Sequence, residues 1–398
     1  GLLQLRRGHL DVQAHLGVID DAVDDADGEL GVAVNRALRL LAGELSLRYG
    51  GGRVQLGSAL RVTPALRLAL HGGNVAGRDL RSGDATPSSS RRGASIALAA
   101  PLELGGETLT IEPRASIDAI TSDRADDPAF SGAWQRRQVA LRALTTARLA
   151  LKWRPIVGFT VHAGATRAIR PPTLLELFGN DGTVRGNAQL RDERSDGVDA
   201  AIVAQRGVGP IALDARIGAS LRRQTDLIAL VRSSPASAIW LNVAQADLLA
   251  WEAALGATLA NRLRLSAQFE GLRAEDSSGD PAYAGRDLPL LPRSRWRVRA
   301  SVPNLQVGAV SLTPFAAVRW RAGRFADRAN LVVLPPRTRV DSGVGLVWQS
   351  WRLDLRVDNV LDANDQDLLG FPLPGRSWLA TLTWKFDGPQ PVVEETTL

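Results

Sequence analysis

Apolar and polar residues alternate with a period of two along most of this chain. Residues 262–270 show the pattern clearly, because every second position is apolar and the positions between are charged or polar. The apolar positions there are Leu263, Leu265, Ala267 and Phe269. Successive side chains of a β-strand point to opposite faces, whereas a helix repeats every ~3.6 residues. The alternation therefore predicts an all-β fold whose strands have one apolar and one polar face.

Turn signals rich in Gly, Pro, Ser, Asp and Asn separate the alternating segments. Many segments exceed the ~5–6 residues of a soluble strand and reach the ~9–11 residues of a tilted membrane strand. We predict a transmembrane antiparallel up-and-down β-barrel with about eighteen visible strands. These strands lie near residues 2–19, 29–41, 44–50, 53–61, 65–72, 93–103, 107–121, 134–152, 156–168, 194–206, 209–231, 240–257, 261–272, 291–302, 306–322, 336–348, 351–360 and 373–386.

The connections between strands alternate in length. Tight turns are predicted at residues 105–106, 153–155, 207–208, 261 and 349–350. Long loops are predicted at residues 73–92, 122–133, 170–193, 273–290, 323–335 and 361–372. Outer-membrane barrels have short periplasmic turns and long external loops. The alternation of lengths thus predicts the orientation of the barrel.

Tryptophans cluster near the predicted strand ends, as amphipathic aromatic side chains do at membrane interfaces. Four of them lie at the long-loop side: Trp134, Trp240, Trp320 and Trp378. Four others lie at the short-turn side: Trp153, Trp348, Trp351 and Trp384. These two rings favour a membrane barrel, although Trp251 falls in the middle of a strand and fits neither ring.

Two prolines, Pro113 and Pro314, lie within predicted strands. Proline has no backbone N–H, and a wall inside the bilayer has no water to replace the lost hydrogen bond. We therefore predict a β-bulge at each proline.

The composition excludes several classes of function. The chain has no cysteine, so it has no disulfide, thiolate zinc site, iron–sulfur cluster or cysteine nucleophile. Its four histidines are scattered, and it lacks the glycine motifs of phosphate-binding and dinucleotide-binding loops. The net charge of +6 comes from arginines spread along the chain rather than from a basic patch. We expect no enzyme activity, no metal site, no cofactor and no nucleic-acid partner.

Three interpretations remain open from the residues alone. A ligand transporter and a passive porin both fit a membrane barrel, and the visible strand count favours a porin, which has ~16–18 strands. A soluble β-rich binding protein would need neither aromatic rings nor a uniformly apolar outer face. The absence of methionine and the start at Gly1 also indicate that the chain is a piece of a longer product.

Two segments carry a specific resemblance. Residues 170–179 read RPPTLLELFG and residues 186–195 read GNAQLRDERS. They resemble an external loop of TonB-dependent outer-membrane receptors, in which RAPTLxEL is followed by GNPxLxPExS. Residues 359–362 and 370–376 are similar to the closing segment of the same family. The matching residues are Arg170, Pro172, Glu176, Gly179, Gly186, Asn187, Glu193, Asn359, Asp362, Pro374, Gly375 and Arg376.

The resemblance implies a barrel of about 22 strands with a plug in its lumen. Such a receptor lies in the bacterial outer membrane and takes up scarce ligands such as iron–siderophores or cobalamin, with energy from the TonB–ExbB–ExbD complex. Nothing here resembles the plug or the TonB-contacting box. We therefore expect residues 1–386 to form a partial barrel without plug, lacking about four initial strands, and residues 387–398 to form a tail. Further expected partners are outer-membrane lipids, the barrel assembly machinery and a small-molecule ligand.

Ligand contacts are expected from the long loops and the upper lumen, where a ligand first arrives. Tyr283 and Arg286 are candidates in the loop at residues 273–290. Glu176 and Phe178 are candidates in the motif loop, where Thr173 is expected to begin a single helical turn. For the motif loop, a structural anchor is favoured over ligand contact.

Overall fold

The structure is a computed structural model of the chain. It describes residues 2–7, 9–25, 34–57, 59–79, 85–124, 137–179, 184–234, 237–368 and 371–385. The expected tail at residues 387–398 lies outside this part. Among the described residues, no helix is long and apolar enough to cross a membrane.

Nearly all of the regular structure is β-strand. The first part of the chain forms β1 (Leu2–Arg7), β2 (Leu10–Asp25), β3 (Val34–Gly50), β4 (Val54–Leu56), β5 (Leu60–Val62), β6 (Ala65–Asp79), β7 (Ala85–Ala99), β8 (Leu102–Leu104), β9 (Leu109–Arg124), β10 (Arg137–Ile156) and β11 (Phe159–Arg170). The remainder forms the helix α1 (Leu174–Phe178) and the strands β12 (Val184–Arg185), β13 (Glu193–Val208), β14 (Ile211–Ser234), β15 (Ser237–Leu259), β16 (Leu263–Asp276), β17 (Ser294–Ser301), β18 (Leu305–Val307), β19 (Val310–Arg321), β20 (Arg324–Phe325), β21 (Val333–Leu334), β22 (Arg337–Trp348), β23 (Trp351–Asp358), β24 (Gln366–Leu368), β25 (Phe371–Pro372) and β26 (Ser377–Trp384).

One sheet of 22 strands dominates the described residues. Seventeen of its strands follow one another as antiparallel hairpins and form the wall: β1, β2, β3, β6, β7, β9, β10, β11, β13, β14, β15, β16, β17, β19, β22, β23 and β26. The other five are short strands at the ends of the wall. One of them, β12, pairs with β15 in parallel. The all-β, antiparallel, up-and-down architecture is therefore confirmed.

Within the membrane-spanning part, the wall strands separate an apolar face from a polar face. Ion pairs bridge neighbouring strands on the polar face, as between Arg216 and Glu252, whose Nε and Oε1 atoms lie 2.6 Å apart. An arginine facing lipid near the bilayer centre costs ~2–4 kcal/mol. A loop bearing the helix α1 also folds onto the polar face, and irregular backbone is not tolerated against lipid. The polar face is therefore the lumen, and the apolar face, with Leu265 and Phe269, is the outer surface.

Short and long connections alternate along the wall, as the sequence predicts, but the tight turns predicted at residues 153–155 and 207–208 are wrong, because these residues lie within β10 and β13. The two-residue turns at residues 157–158, 209–210 and 349–350 are all at one end of the wall. Residues 171–192, 277–293, 322–336 and 359–376 connect strands at the opposite end. The expected long loop at residues 73–92 is wrong, because β6 continues to Asp79 and β7 begins at Ala85. Beyond the bilayer both faces of a strand are wet, so a strand continues there without hydrophobic alternation.

Four predicted strands at the start of the chain are also corrected. Residues 2–19 do not form one strand, because β1 and β2 pair as a hairpin. Residues 53–61 contain the small hairpin of β4 and β5 instead of a wall strand. Residues 34–50 form the single strand β3 where two strands were expected. The underlying alternation is correct in each case, and the positions of the turns were wrong.

The bulges predicted at the two prolines are wrong. Pro113 pairs with Leu149, and Pro314 pairs with Val344, without any shift in register at either position. The carbonyl of Pro314 accepts a hydrogen bond from the amide of Val302, just beyond the end of β17. The N and C=O groups of one strand residue point to the same neighbour. The nitrogen of each proline therefore points to a residue just beyond the end of the neighbouring strand, Ala100 after β7 and Val302 after β17.

Tryptophans on the outer face stack in pairs across adjacent strands. Trp351 and Trp384 stack beside a short turn with ring centroids 5.2 Å apart. Trp251, which fitted neither ring, packs on the outer face over Gly271, where any Cβ atom would overlap the indole. Trp240 does not belong to the tryptophan ring at the long-loop side, because it packs against the buried hydrophobic cluster of the loop at residues 171–192. Trp134 lies outside the described residues.

Candidate functional site

The loop at residues 171–192, here called the cap, begins with a capping box. The Oγ1 atom of Thr173 accepts a hydrogen bond from the amide of Glu176 at 3.2 Å. The amide of Thr173 donates to Oε2 of Glu176 at 2.6 Å. This reciprocal pair satisfies two backbone donors that the start of a helix leaves free. The helical turn expected at Thr173 is confirmed, and Pro172, fully buried, fixes the chain just before it.

Arg170 joins the cap to the wall through two carboxylates. Its Nη1 atom lies 2.9 Å from Oε2 of Glu176, and its Nε atom lies 2.5 Å from Oε2 of Glu193. Glu193 also accepts the amide hydrogen of Ile228 at 2.6 Å. Burial alone would raise the pKa of Glu176, but the hydrogen bonds from Arg170 and Thr173 hold this pKa below its usual value. Glu176 is therefore a charged residue that fastens the cap.

Three arginines of the lumen face hold the cap by its backbone. Arg91 donates to the carbonyl of Pro172, and Arg124 donates through Nη1 to the carbonyl of Phe178 at 2.7 Å. Arg142 donates through Nη2 to the carbonyl of Leu190 at 2.8 Å. The three arginines extend from β7, β9 and β10, so the cap bends inward across the lumen. A hydrophobic cluster completes this attachment, formed by Leu174, Leu177, Phe178, Leu190, Ile228 and Trp240.

The glycines and the asparagine of the motif shape the cap. A Cβ atom on Gly186 would overlap the backbone of Phe178 and Gly179, so only glycine fits there. Gly179 ends α1 with φ of 76°, a conformation that favours glycine. The backbone N–H of Asn187 donates to the carbonyl of Glu176 at 2.9 Å, and its side-chain Nδ2 donates to the carbonyl of Trp240 at 3.1 Å. These motif residues build the loop.

The C-terminal motif forms a second hydrogen-bonded loop structure, just before the last strand. Asn359 is fully buried, and its side chain exchanges two hydrogen bonds with the backbone of Ala363, at 2.9 and 3.0 Å. Oδ1 of Asp362 accepts the amide hydrogen of Arg376 at 2.6 Å. A Cβ atom on Gly375 would lie 2.6 Å from the same Oδ1 atom. Pro374, beside Gly375, is exposed.

The loops at residues 277–293 and 322–336 are locked together. The guanidinium of Arg328 lies 4.1 Å from the ring centroid of Tyr283. Arg328 also donates through Nη2 to Oδ2 of the buried Asp276 at 2.7 Å. Arg286 donates through Nη1 to the carbonyl of Ala329 at 2.7 Å, which joins the two loops directly. We call the end of the wall that bears the long loops the mouth. Tyr283 and Arg286 thus lie at the mouth, as predicted, and both support the loop structure.

The four predicted ligand-contact residues differ in their exposure to solvent. Tyr283 is half-buried and Arg286 is exposed. Glu176 and Phe178 are buried in the cap, with exposed fractions of 7% and 5%, so a ligand above the folded cap meets their neighbours first. Direct ligand contact by any of the four stays a prediction.

A group of arginines directly below the loops was not singled out from the sequence. It occupies the lumen face of the first residues of β17 and β22 and the last residues of β19. We call it the arginine lattice, and its members are Arg295, Arg297, Arg319, Arg321, Arg337 and Arg339. A cavity of about 320 Å³ opens over these side chains. Its sequence signal is an Arg-x-Arg pair at each of three strand ends beside a long loop.

No group of three or more His, Cys, Asp and Glu side chains could hold a metal ion within the described ranges. The mouth consists of three parts described above: the cap bound to the wall, the two loops joined to each other, and the arginine-rich upper lumen. Together with the apolar outer face, these features define a membrane β-barrel with a partly covered polar lumen.

Comparison with known proteins specifies the family. Residues 21–360 match the model of the family described as TonB dependent receptor-like, beta-barrel. The chain belongs to this family, which consists of receptors and transporters of the bacterial outer membrane. The resemblance noted in the motif segments and the outer-membrane location are thereby confirmed. No curated protein matches the sequence at a significant level.

Solved structures show the same fold at low sequence identity. The copper transporter OprC is 15% identical, with a TM-score of 0.70 over 95% of this chain and 63% of that protein. The siderophore receptor PiuA from Acinetobacter baumannii is 13% identical, with a TM-score of 0.70 over 97% of this chain and 63% of that protein. The ferric citrate transporter FecA is 12% identical, with a TM-score of 0.64 over 95% and 56%. This chain thus spans less than two thirds of each of these proteins.

Proposed function

We propose that this chain is the barrel portion of a receptor that takes up a scarce small ligand across the outer membrane. The energy would come from the TonB–ExbB–ExbD complex, which would act through a part of the protein outside these 398 residues. The proposal rests on membership in the family and on the architecture of the mouth. Outer-membrane lipids would contact the apolar face.

The attachment of the cap to the lumen wall is the observation that supports uptake by a receptor most strongly. Arginines of three neighbouring strands hold its backbone, and its apolar residues are packed away from water. A passive porin depends on an open aqueous channel. A receptor instead needs loops held in one arrangement, because preorganised contacts bind a ligand without the cost of ordering a mobile loop.

A metal or metal chelate is the ligand class that the comparisons favour. The similar solved structures include a copper transporter, a siderophore receptor and a ferric citrate transporter. An iron–siderophore is therefore our first candidate, and cobalamin is an alternative. Tyr283 and Arg286 at the loops remain the proposed first contacts.

Uptake of radiolabelled iron chelates into cells tests this proposal. The full-length gene is expressed in a strain that lacks its own iron receptors, with TonB present or deleted. We expect accumulation of at least one chelate only when TonB is present. Accumulation of chelates and of small sugars at equal rates in both strains would instead establish a passive porin.

A further inference from the structure

A row of charged residues crosses five neighbouring strands on the outer face of the wall, toward the mouth. Successive cross-strand partners on β11, β13, β14, β15 and β16 form this row: Arg167, Asp196, Arg223, Asp247 and Glu275. Side chains alternate between the two faces of a strand, so Asp247 shares the outer face with Leu249 and Trp251. The row therefore lies on the surface that meets the membrane and not in the lumen.

Tryptophans below the charged row indicate its depth in the membrane. Trp251 lies four residues below Asp247 on β15. In the next row down on the same face, Trp296 stacks on Trp320 with ring centroids 6.2 Å apart. Such aromatic side chains mark the boundary between the hydrocarbon and the head groups. Four residues of a strand span ~13 Å, which leaves ~10 Å along the membrane normal at a tilt of ~35–45°. The charged row thus lies among the head groups.

A groove opens on the outer face below the charged row. Its volume is about 1110 Å³, and the charged row forms its upper rim. Exposed apolar side chains of the row beneath form its floor: Leu149, Val198, Leu221 and Leu249. An alkyl chain gains free energy when it covers such apolar surface. The groove thus combines a charged rim at head-group depth with an apolar floor, and a lipid has the same two parts.

The arginines of the rim keep N–H donors for an added anion. Arg167 binds Asp196 through Nε at 2.6 Å, and Arg223 binds Asp247 through Nε at 2.8 Å and Nη2 at 3.4 Å. A guanidinium has five N–H donors, and these two arginine side chains remain 62% and 68% exposed. Arg194, two residues above Asp196 on the same face, is exposed and forms no ion pair among the described residues. The rim therefore offers both spare donors and an uncompensated cation.

We propose that this groove binds a phosphorylated glycolipid of the outer leaflet, with a phosphate at the arginines and an acyl chain along the floor. Guanidinium groups match phosphate oxygens through paired, charge-assisted N–H donors. The carboxylates of Asp196 and Asp247 accept hydrogen bonds from sugar hydroxyls, which a plain phospholipid lacks. A rim of mixed charge thus favours a phosphorylated sugar over a simple phosphate. The inference rests on the orientation of the wall in the outer membrane and goes beyond the uptake proposed above.

Native mass spectrometry of the purified, delipidated full-length protein in detergent tests this site. The probes are diphosphoryl lipid A, which carries two phosphates on an acylated sugar, and phosphatidylcholine, which is zwitterionic and has no sugar. We expect the Kd of lipid A to be at least tenfold lower than that of phosphatidylcholine. The double variant Arg194→Gln/Arg223→Gln should raise the Kd of lipid A at least tenfold, because it removes two cations of the rim. It should leave the Kd of phosphatidylcholine unchanged within a factor of two.

Arg39→Gln is the matched control for Arg223→Gln. Arg39 also faces outward toward the mouth and pairs with an aspartate of the neighbouring strand, Asp20 at 2.6 Å, but it lies on β3 outside the groove. Arg223→Gln alone should raise the Kd of lipid A at least threefold, whereas Arg39→Gln should leave it unchanged within a factor of two. If the double variant folds poorly, Leu221→Trp fills the floor without a change of charge and should also raise the Kd at least threefold.

Three results would overturn the site: equal Kd values for the two lipids, an unchanged Kd of lipid A in the double variant, or equal weakening by Arg39→Gln. Protein dimers that disappear in Leu221→Trp, without retention of lipid A, would overturn it as well and would place a second copy of the chain in the groove. Lipid binding is measured without TonB. Absence of lipid A binding would therefore remove only this inference, whereas chelate uptake that does not need TonB would remove only the receptor function.

Discussion

Replacement of Glu176 by alanine should release the cap from the lumen wall. The substitution removes the acceptor of the Thr173 amide, an N-terminal cap contact that is typically worth ~1 kcal/mol. It also removes one of the two carboxylates that hold Arg170. Hydrogen bonds to charged groups contribute ~1.5–3 kcal/mol, and we take ~1–2 kcal/mol because Arg170 is partly exposed. The docked cap should therefore lose ~2–3 kcal/mol, which is a 30- to 150-fold increase in the undocked population at ~1.4 kcal/mol per tenfold change.

Hydrogen–deuterium exchange with mass spectrometry measures this population. The reporting amides are those of Gly179 and Asn187, which donate to carbonyls inside the cap at 2.7 and 2.9 Å. Their exchange should become 30- to 150-fold faster, in proportion to the undocked fraction. The control is Glu252→Ala, which removes a carboxylate from the lumen wall away from the cap. Exchange of residues 174–190 that stays within threefold of the unchanged protein would refute this account of the cap.

Three further predictions concern Glu176, Gly271 and Asn359. Since the pKa of Glu176 is lowered, its charge stabilises the cap above about pH 4.3, and this stabilisation disappears as the pH falls through the lowered pKa. Cleavage by pepsin beside Leu177, measured relative to an unstructured peptide at each pH, should become faster across that acid range, and Glu176→Gln should abolish this relative change. Gly271→Val should cost ~1–3 kcal/mol in urea unfolding because its side chain would overlap Trp251, whereas Ala253→Val on the same face should cost less. Asn359→Ala should cost ~2–3 kcal/mol by leaving the backbone of Ala363 unsatisfied, and Asn359→Gly should cost about 1 kcal/mol less because φ at this position is 53°.

The alternation in the sequence predicted the wall well where a strand separates lipid from the lumen. In β16 and β23 the two environments differ along nearly the whole strand, so hydrophobicity reports the face of every residue. The pattern fails where strands rise beyond the membrane, as in the upper parts of β6 and β7, because both faces contact water there. Arg91 and Arg92 lie next to each other in β7 without alternation, so the sequence predicts a loop at these positions.

The motif loop could be interpreted locally, whereas the arginine lattice could not. Thr173 and Glu176 have the spacing of a capping box, so the helical turn follows from neighbouring residues. The lattice depends on which residues of β17, β19 and β22 lie opposite one another. That register is set by the loops and by the pairing of the whole sheet. Likewise, Trp251 is explained only by Gly271 on the next strand, which is its cross-strand partner.

Accessibility of spin labels along β16 tests the central claim that the apolar face meets lipid and the polar face lines the lumen. The 398 residues contain no cysteine, so single cysteines at positions 263–270 of the full-length protein can each carry one label in this part. We predict high accessibility to oxygen, which concentrates in lipid, at Leu265, Ala267 and Phe269. Accessibility to a water-soluble nickel complex should peak at the positions between them. A reversed phase, or accessibility without a period of two, would contradict the barrel assignment.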